Sequence, residues 1–371
     1  MIIAINAARF SDTHANNFID DYFIRIAPEY PSHQFVFITT TAIADQHLVT
    51  AKNITQVISS PKGKNIFMWK FWLNFTLPRL VKKHKATLLI NTTGCCSLQT
   101  KVPQHLFISD LSYLNFPHFS SRKVMYFFKK NIPVFCKKAT TILAPSNFIK
   151  QQILKQLLVD KKKIQLFHIP VNEIYRPLSW QEKEIIKTTY TEGTEYFLFS
   201  GEINSHNNLI NLLKAFTFFK TRQKSNMQLV ITSNNVSPNN AFIQSFKTYK
   251  FRNEVQLLMD LPERELTAIT GAAYAFVYPS LYDGTGMYVL QAMQCEVPVV
   301  TCDAGALQEQ AGDAALYANE ANFEDIANKM MLLFKDESAR AALINKGIQL
   351  VADHQLKTNI AYWASIFKTN D

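Results

Sequence analysis

Short apolar runs alternate with longer amphipathic segments along the chain. In the first half, runs rich in β-branched and aromatic residues predict buried strands at Ile2–Asn6, Gln34–Thr39, Ala86–Asn91, His105–Ser109, Ala139–Pro145 and Lys163–Ile169. The segments between them have helical periodicity, and Ser146 stands at the N-cap position of a helix predicted over residues 147–157. Strands that alternate with helices predict βαβ units and a mostly parallel sheet.

The alternation restarts after the segment IPVNEIYRPLSWQ and a charged connector, Trp180–Glu195. Strands are predicted at Tyr196–Phe199, Gln228–Thr232, Val255–Leu258, Ala275–Pro279 and Pro298–Cys302. Helices are predicted at Asn207–Arg222, Asn239–Tyr249, Glu263–Ala272, Met287–Cys295, Phe323–Phe334, Ser338–Leu350 and Thr358–Phe367.

Both halves therefore predict an α/β, doubly wound, Rossmann-like architecture. The boundaries indicate one domain over residues 1–172, a second over residues 173–355 and a C-terminal helix over residues 356–371. Ligands of such sheets bind at the carboxyl ends of the strands, so the cleft between the two halves is the expected site.

Composition supports a folded core and directs attention to the second half. Of 371 residues, 47% are apolar and 18% are charged, which excludes a disordered chain. Glycine is scarce, with 10 residues, yet five of them (Gly271, Gly284, Gly286, Gly305 and Gly312) fall between positions 271 and 312. Because glycine is needed where backbone turns tightly or approaches a ligand, this cluster indicates a functional turn.

The N-terminus begins with a strand-like run and has neither a charged leader nor a small-residue cleavage site. No run of about 18 uncharged apolar residues occurs, so a membrane-spanning helix is not expected. The cysteines are odd in number and scattered, at Cys95, Cys96, Cys136, Cys295 and Cys302. This pattern predicts reduced thiols in a cytoplasmic protein, without a disulfide framework or a zinc site.

The net charge of +10 has a definite location. Residues 67–85 and 121–138 both mix lysine and arginine with aromatic residues. Two interpretations stay open: amphipathic helices whose aromatic residues face the core, or a surface for peripheral contact with anionic lipid on the inner face of a membrane. Nucleic-acid binding is not favoured, because no helix-turn-helix, zinc-finger or RNP pattern accompanies the charge.

Candidate chemistry is concentrated in YAFVYPSLYDGTGMYVLQAMQCEVPVVTCDAG, residues 274–305. A predicted strand ends at Pro279, the loop contains Gly-Thr-Gly, and a helix starts near Met287. Backbone amides at such a helix start can surround a phosphate. The third glycine of a dinucleotide fingerprint is missing, since Val289 stands there, so a tight turn without a ligand is the alternative.

Two polar side chains flank this turn. Asp283 precedes the helix, and Gln291 lies about one turn inside it on the same side. Groups that bind hydroxyls beside a phosphate pocket suit a sugar nucleotide. The alternative is an aspartate that interacts with the helix dipole and a surface glutamine.

The segment resembles the donor-binding signature of the GT-B-fold retaining glycosyltransferases of family 4, group 1. The similarity includes LPERELTAITGAAYAFVYPSLYDG before the turn and VPVVTCDAGALQEQAGDAALY after it. APSNFIKQQILKQLLVDKKKIQLFHIPVNEIYRP (Ala144–Pro177) and FLFSGEINSHNNLINLLKAF (Phe197–Phe216) also resemble segments of that family. The resemblance covers roughly residues 105–350.

The resemblance implies a nucleotide-sugar site in the second domain. Asp283 takes the place of the carboxylate that contacts the donor sugar, and Gln291 takes the place of the one that contacts the ribose. The remaining residues implied at the nucleotide-sugar are Gly201, His206, Asn207, Ser280, Gly284, Thr285, Gly286 and Met287. The nucleotide-sugar is a substrate, and the resemblance implies neither a further cofactor nor a metal.

The resemblance also implies catalytic groups in the first domain and a C-terminal helix that returns to it. Ser109 and Asp110 stand where the family has a His-Asp pair, so they join Asp283 as candidate catalytic residues. Other positions also differ: the family's Arg-Lys pair is His206-Asn207, and its glycine-rich loop is Ala7-Ala8. A protonated His206 and Arg9 are candidates for the missing positive charge.

The expected function is a hexosyltransferase that moves a sugar from a nucleotide-sugar to a glycan or lipid-linked acceptor with retention, in cell-surface polysaccharide or glycolipid synthesis. The substituted motif positions leave one alternative, a catalytically degenerate GT-B protein that acts as a binding or scaffold subunit.

Overall fold

In the first sheet of the computed structural model, seven parallel strands follow the order β3-β2-β1-β4-β5-β6-β7. They are β1 Ile2–Asn6, β2 Gln34–Thr39, β3 Ile54–Ile58, β4 Leu88–Asn91, β5 Gln104–Phe107, β6 Thr141–Ala144 and β7 Ile164–Leu166. The structure describes residues 1–9, 18–43, 51–59, 65–116, 122–234, 236, 240–356, 363 and 366–367. The central strands are apolar on both faces, as helices covering both sides of a parallel sheet require.

The helices of this first unit connect parallel strands. They are α1 Phe18–Ile26, α2 Ile66–Phe71, α3 Leu77–Lys83, α4 Ser112–Asn115, α5 Arg122–Lys138 and α6 Asn147–Leu157, with a π-helical turn Trp72–Thr76 between α2 and α3. The Ser146 hydroxyl accepts from the Ile149 N–H at 3.2 Å, which confirms the predicted N-cap of α6. The C-terminal segment contributes to this unit, because Trp363 is buried against Phe23 and Phe167.

A second unit begins at Pro170 and includes the chain through α14. Its six parallel strands follow the order β10-β9-β8-β11-β12-β13. They are β8 Tyr196–Ser200, β9 Gln228–Ser233, β10 Val255–Met259, β11 Ala275–Tyr278, β12 Val299–Cys302 and β13 Ala315–Ala318. The helices are α7 Trp180–Thr191, α8 Leu209–Gln223, α9 Ala241–Lys247, α10 Glu263–Ala272, α11 Met287–Gln294, α12 Leu307–Ala311, α13 Phe323–Lys335 and α14 Glu337–Leu356.

The prediction of two doubly wound, Rossmann-like sheets is confirmed, with two local corrections. The prediction of a charged connector over Trp180–Glu195 is wrong, because Trp180–Thr191 is a helix that starts with a capping box between Ser179 and Glu182. Strands β3 and β13 were not predicted, since both are half-exposed edge strands with weak apolar patterns. Of the helix predicted over Thr358–Phe367, only Trp363, Ile366 and Phe367 lie within the described residues.

Within the described residues, no helix combines the length and the apolar character that crossing a bilayer requires. The five cysteines are buried and unpaired. Burial raises the pKa of Cys95, Cys136, Cys295 and Cys302 to about 12, so these thiols stay protonated at neutral pH.

Candidate functional site

The strand order of the second sheet reverses between β8 and β11, which lie side by side at its centre. The loop after β8 contains Gly201, His206 and Asn207, and the loop after β11 contains Ser280 and the Asp283 turn. The carboxyl ends of strands at such a reversal form the usual ligand crevice of a doubly wound sheet. Tertiary structure therefore brings the candidate residues of the second unit to one edge of one sheet.

Asp283 closes the turn before α11 with its own side chain. Its Oδ1 accepts from the N–H groups of Thr285 and Gly286, both at 2.7 Å, and from the Thr285 hydroxyl at 3.1 Å. The Met287 N–H donates to Thr285 Oγ1 at 3.3 Å. The amides implied in phosphate binding thus already surround an anion, the buried Asp283 carboxylate.

A third loop supports this turn from the end of β12. The Ala306 N–H donates to the Asp283 carbonyl at 2.7 Å. Gly305 has φ +66°, and a β-carbon built there would lie 2.1 Å from the Asp283 carbonyl oxygen. Gly286 has the same φ, and its β-carbon would lie 2.7 Å from the side chain of Gln310. Glycine is required at both positions by conformation and by space.

Asn207 and Ser280 join the loops after β8 and β11. Asn207 Oδ1 accepts from the Ser280 hydroxyl at 2.9 Å and from the Tyr278 hydroxyl at 3.3 Å, while its Nδ2 donates to the Glu202 carbonyl at 2.8 Å. The Leu281 N–H donates to the His206 carbonyl at 2.7 Å. Asn207 and Ser280 are buried, and their polar groups are used in holding the loops together.

Tyr278 lies directly beneath the turn. Its ring stacks on Phe199 at a centroid distance of 5.6 Å, and both rings border Gly201, whose φ is +154°. Burial raises the pKa of the Tyr278 hydroxyl well above its usual value, and the charge of Asp283 adds to that effect. Tyr278 therefore stays neutral and acts as a hydrogen-bond donor at this edge of the sheet.

The hydrogen bonds of Asn204 determine the protonation of His206. The Asn207 N–H donates to Asn204 Oδ1 at 3.0 Å, which fixes the amide orientation. Asn204 Nδ2 then faces His206 Nε2 at 3.0 Å and must donate to it. Nε2 is therefore an acceptor, and the imidazole is neutral in this arrangement. In this tautomer His206 would not replace the positive charge of the substituted Arg-Lys pair.

Gln291 lies one turn into α11, four residues after Met287, so the two side chains project from the same side of the helix. The residue is only 4% exposed, and its side-chain amide makes no hydrogen bond to any described residue. The amide atoms reach the small solvent-accessible surface that the residue keeps, so they are available to a ligand with hydroxyl groups. Gln291 thus has the properties of a binding residue rather than of a surface glutamine.

Ser109 and Asp110 lie in the first unit, directly after β5. The Asp110 carboxylate accepts from the Ser112 N–H at 2.6 Å and from the Ser112 hydroxyl at 3.1 Å, so it is held against the first residue of the short helix α4. Arg9, the other candidate cation, has its Nη2 3.2 Å from Oδ2 of Asp20. Burial raises the pKa of Asp20, and the positive charge of Arg9 opposes that rise.

Sequence reasoning did not identify Asn204 or Tyr278. An Asn-x-x-Asn spacing could have indicated the capping role of Asn204, whose partner is Asn207. Nothing local could have indicated Tyr278, because its importance comes from the neighbours that the sheet brings to it. Among the described residues, no three His, Cys, Asp or Glu side chains are grouped as a metal site would need.

Comparison with known proteins gives similarities to glycosyltransferases. Residues 181–350 match the family described as glycosyl transferases group 1. O-antigen chain mannosyltransferase B of Escherichia coli is 24% identical over 240 residues, which make up 64% of this chain and 63% of that protein. O-antigen chain mannosyltransferase RfbU of Salmonella typhimurium is 25% identical over 275 residues, 73% of this chain and 72% of that protein.

Solved structures agree over both units. WaaG, a glycosyltransferase involved in lipopolysaccharide biosynthesis, superimposes with a TM-score of 0.74 at 14% identity, over 100% of both chains. Anabaena Alr3699/HepE in complex with UDP and glucose gives a TM-score of 0.76 at 13% identity, over 99% of this chain and 100% of that one. At these identities the similarity shows the fold, which is GT-B.

Proposed function

We propose that the chain transfers mannose from a nucleotide-sugar to a glycan or lipid-linked acceptor. Residues 181–350 belong to the glycosyl transferases group 1 family, and the chain is a GT-B glycosyltransferase. The choice of mannose, and of polysaccharide synthesis as the setting, rests on the two O-antigen mannosyltransferases that it resembles. Transfer with retention rests on the motif resemblance.

The observation that carries the donor proposal is the state of Gln291. The residue is almost wholly buried, and its amide, which hydrogen-bonds no described residue, still reaches solvent at the strand reversal, where α11 begins beside the Asp283 turn. Ribose hydroxyls both donate and accept hydrogen bonds, and a glutamine amide can satisfy both. We assign Gln291 to the ribose of the donor.

We assign Asp283 two successive roles, one before and one after the donor binds. Without donor, its carboxylate occupies the amides of Thr285 and Gly286. The distal phosphate of the donor would replace it there, because a phosphate is also an anion that accepts from backbone amides. The displaced Asp283 side chain would then turn to the hydroxyls of the donor sugar.

The reaction would proceed on one face of the sugar. The bond between the anomeric carbon and the phosphate oxygen breaks, a bond from the acceptor oxygen forms, and the acceptor proton passes to the departing phosphate. The main demand on the protein is stabilisation of the charge that develops on the leaving diphosphate. Backbone amides of the turn and the N-terminus of α11 are the groups that this unit offers for that purpose.

A transfer assay tests the proposal directly. The purified chain is incubated with UDP-, GDP- and ADP-linked sugars, mannose included, together with a bacterial lipid extract, and labelled product is measured. We expect turnover with one mannosyl donor, and anomeric analysis of the product tests retention. Binding of a nucleotide without turnover on any extract would contradict the enzymatic proposal, and turnover with a different sugar would contradict the mannosyl assignment.

Variants of α11 test the ribose contact separately. We expect Gln291→Ala to weaken nucleotide binding about tenfold, through the loss of hydrogen bonds to the ribose, and Gln291→Glu to retain it. The matched control is Gln294→Ala on the same helix, since Gln294 donates to the carbonyls of Asn172 and Tyr175 instead. Calorimetry showing an equal loss in both alanine variants would remove Gln291 from the site.

A further inference from the structure

The aromatic residues of α2 and the π turn divide between the inside and the outside of the first unit. Trp69 and Trp72 are buried, and their rings stack at a centroid distance of 5.3 Å. Trp72 Nε1 donates to the Ser59 hydroxyl at 3.1 Å. The two tryptophans therefore belong to the core, as the first interpretation of this segment required.

The phenylalanines of the same segment point outward. Phe67 is 86% exposed, Phe71 is 51% exposed and Phe75 is 47% exposed. They recur every four residues, and the rings of Phe71 and Phe75 stack at a centroid distance of 4.7 Å. These three side chains, the aromatic stripe, form an apolar ridge that nothing in the described unit covers.

Positive charge surrounds the aromatic stripe. Lys70, Arg79, Lys82 and Lys83 are all exposed on the same helical segment. Helix α5 packs against α2, which makes the two basic and aromatic segments of the sequence neighbours. Its exposed residues continue the composition, with Arg122, Lys123, Tyr126, Lys129, Lys130, Val134, Lys137 and Lys138. We call the aromatic stripe and these exposed residues of both segments the basic–aromatic face.

The absence of acidic residues from this part of the sequence is pronounced. Between Gln46 and Val159 the chain has seventeen lysines and arginines and a single acidic residue, Asp110. The excess of sixteen positive charges is larger than the net charge of the whole protein, so the remainder of the chain is net acidic. The positive field of the protein is thus concentrated on the part of the first unit that carries the aromatic stripe.

We propose that the basic–aromatic face docks the protein on an anionic lipid bilayer. Phenylalanines at the depth of the headgroups lose contact with water, while lysines and arginines beside them attract anionic lipid. Neither component alone would bind stably, and the face combines both. Docking would bring the protein to a lipid-linked acceptor, as in the proposed function. The docking itself does not depend on turnover.

Vesicle flotation of the full chain tests the proposal without any sugar substrate. Vesicles of phosphatidylcholine alone are compared with vesicles of phosphatidylcholine and phosphatidylglycerol in equal amounts, at low and high salt. We expect binding to the anionic vesicles, and weaker binding as salt rises. Equal binding to both compositions, or binding to neither, would overturn the proposal.

Variants separate the two components. Phe67→Ser with Phe71→Ser and Phe75→Ser should weaken vesicle binding at least about a hundredfold, given the apolar area of three phenylalanines. Lys129→Ala with Lys130→Ala should weaken it about fivefold per charge removed. The matched control is Trp180→Ala, which removes an aromatic residue that is 71% exposed on helix α7, whose two glutamates and two lysines balance, and should leave vesicle binding unchanged.

Two further readouts keep the proposal falsifiable. Nucleotide affinity should be unchanged in the triple phenylalanine variant, because the ribose site lies in the second unit. A triple variant that loses both nucleotide and vesicle affinity has a folding defect. In that case, vesicle binding by the single variant Phe67→Ser tests the proposal. Sedimentation tests the other occupant, a second copy of the chain. If the wild-type chain dimerises and the triple variant does not, the face is a dimer interface and the lipid proposal fails.

Discussion

A β-carbon on Gly305 would lie 2.1 Å from the carbonyl oxygen of Asp283, closer than any non-bonded contact allows. The two residues belong to loops after different strands, β11 and β12, and the Ala306 N–H ties the loops together. The shape of the Asp283 turn therefore depends on the absence of a side chain more than twenty positions along the chain.

Gly305→Ala should displace the Asp283 turn. The positive φ alone would cost about 1 kcal/mol, and the backbone clash should raise the loss of unfolding free energy to about 3 kcal/mol. The matched control is Gly193→Ala, at φ +79° with no atom within 4 Å of its β-carbon. This variant should lose only the unfolding free energy that the positive φ costs, about 1 kcal/mol. Chemical denaturation measures both. Equal losses would show that the loop contact with Asp283 adds nothing.

Asp283 is expected to matter more for turnover than for nucleotide affinity. Asp283→Ala removes the acceptor for two backbone amides and the side chain assigned to the donor sugar. We therefore expect kcat to fall by about two orders of magnitude or more, with a much smaller change in nucleotide Kd. Asp283→Asn keeps an acceptor for the amides and should retain stability. An equal loss of kcat and affinity in Asp283→Ala would contradict the assigned role.

The Asn204→Asp variant should change the protonation of His206. Its carboxylate would still accept from the Asn207 N–H, and it would then present an acceptor, not a donor, to His206 Nε2. We expect nitrogen NMR shifts to report the Nδ1–H tautomer in the wild-type protein and a proton on Nε2 in the variant. A wild-type ring already protonated on Nε2 at neutral pH would contradict the arrangement of Asn204.

Protonation of His105 should destabilise the first unit in acid. Burial lowers the pKa of His105 from 6.5 to about 4, so the unfolded chain binds this proton at a higher pH than the folded one. The unfolding free energy should therefore fall as the pH decreases from about 6.5 to about 4, by roughly 3 kcal/mol in total. Urea unfolding at several pH values measures this. The variant His105→Gln should lose that part of the pH dependence, and an unchanged profile would contradict the assignment.

Periodicity in the sequence was sufficient for the two sheets. The strands Ile2–Asn6 and Gln34–Thr39 and the helix Glu263–Ala272 were predicted with the bounds they have. Apolar runs in a parallel sheet are buried on both sides, so their pattern is strong and local. The edge strands Ile54–Ile58 and Ala315–Ala318 escaped prediction because exposure weakens the apolar pattern.

The sequence by itself determined the α/β architecture, the glycine-containing turn after β11 and the location of the positive charge, because each depends on residues that are close along the chain. Only the tertiary structure decided what those residues do. It folds the Asp283 carboxylate onto the amides, places the Asn204 amide against His206 Nε2, buries most of Gln291 in α11, and turns the tryptophans of residues 66–83 inward and the phenylalanines outward. These outcomes depend on hydrogen bonds and packing in the folded units, and a sequence pattern does not specify which neighbours the folded chain supplies.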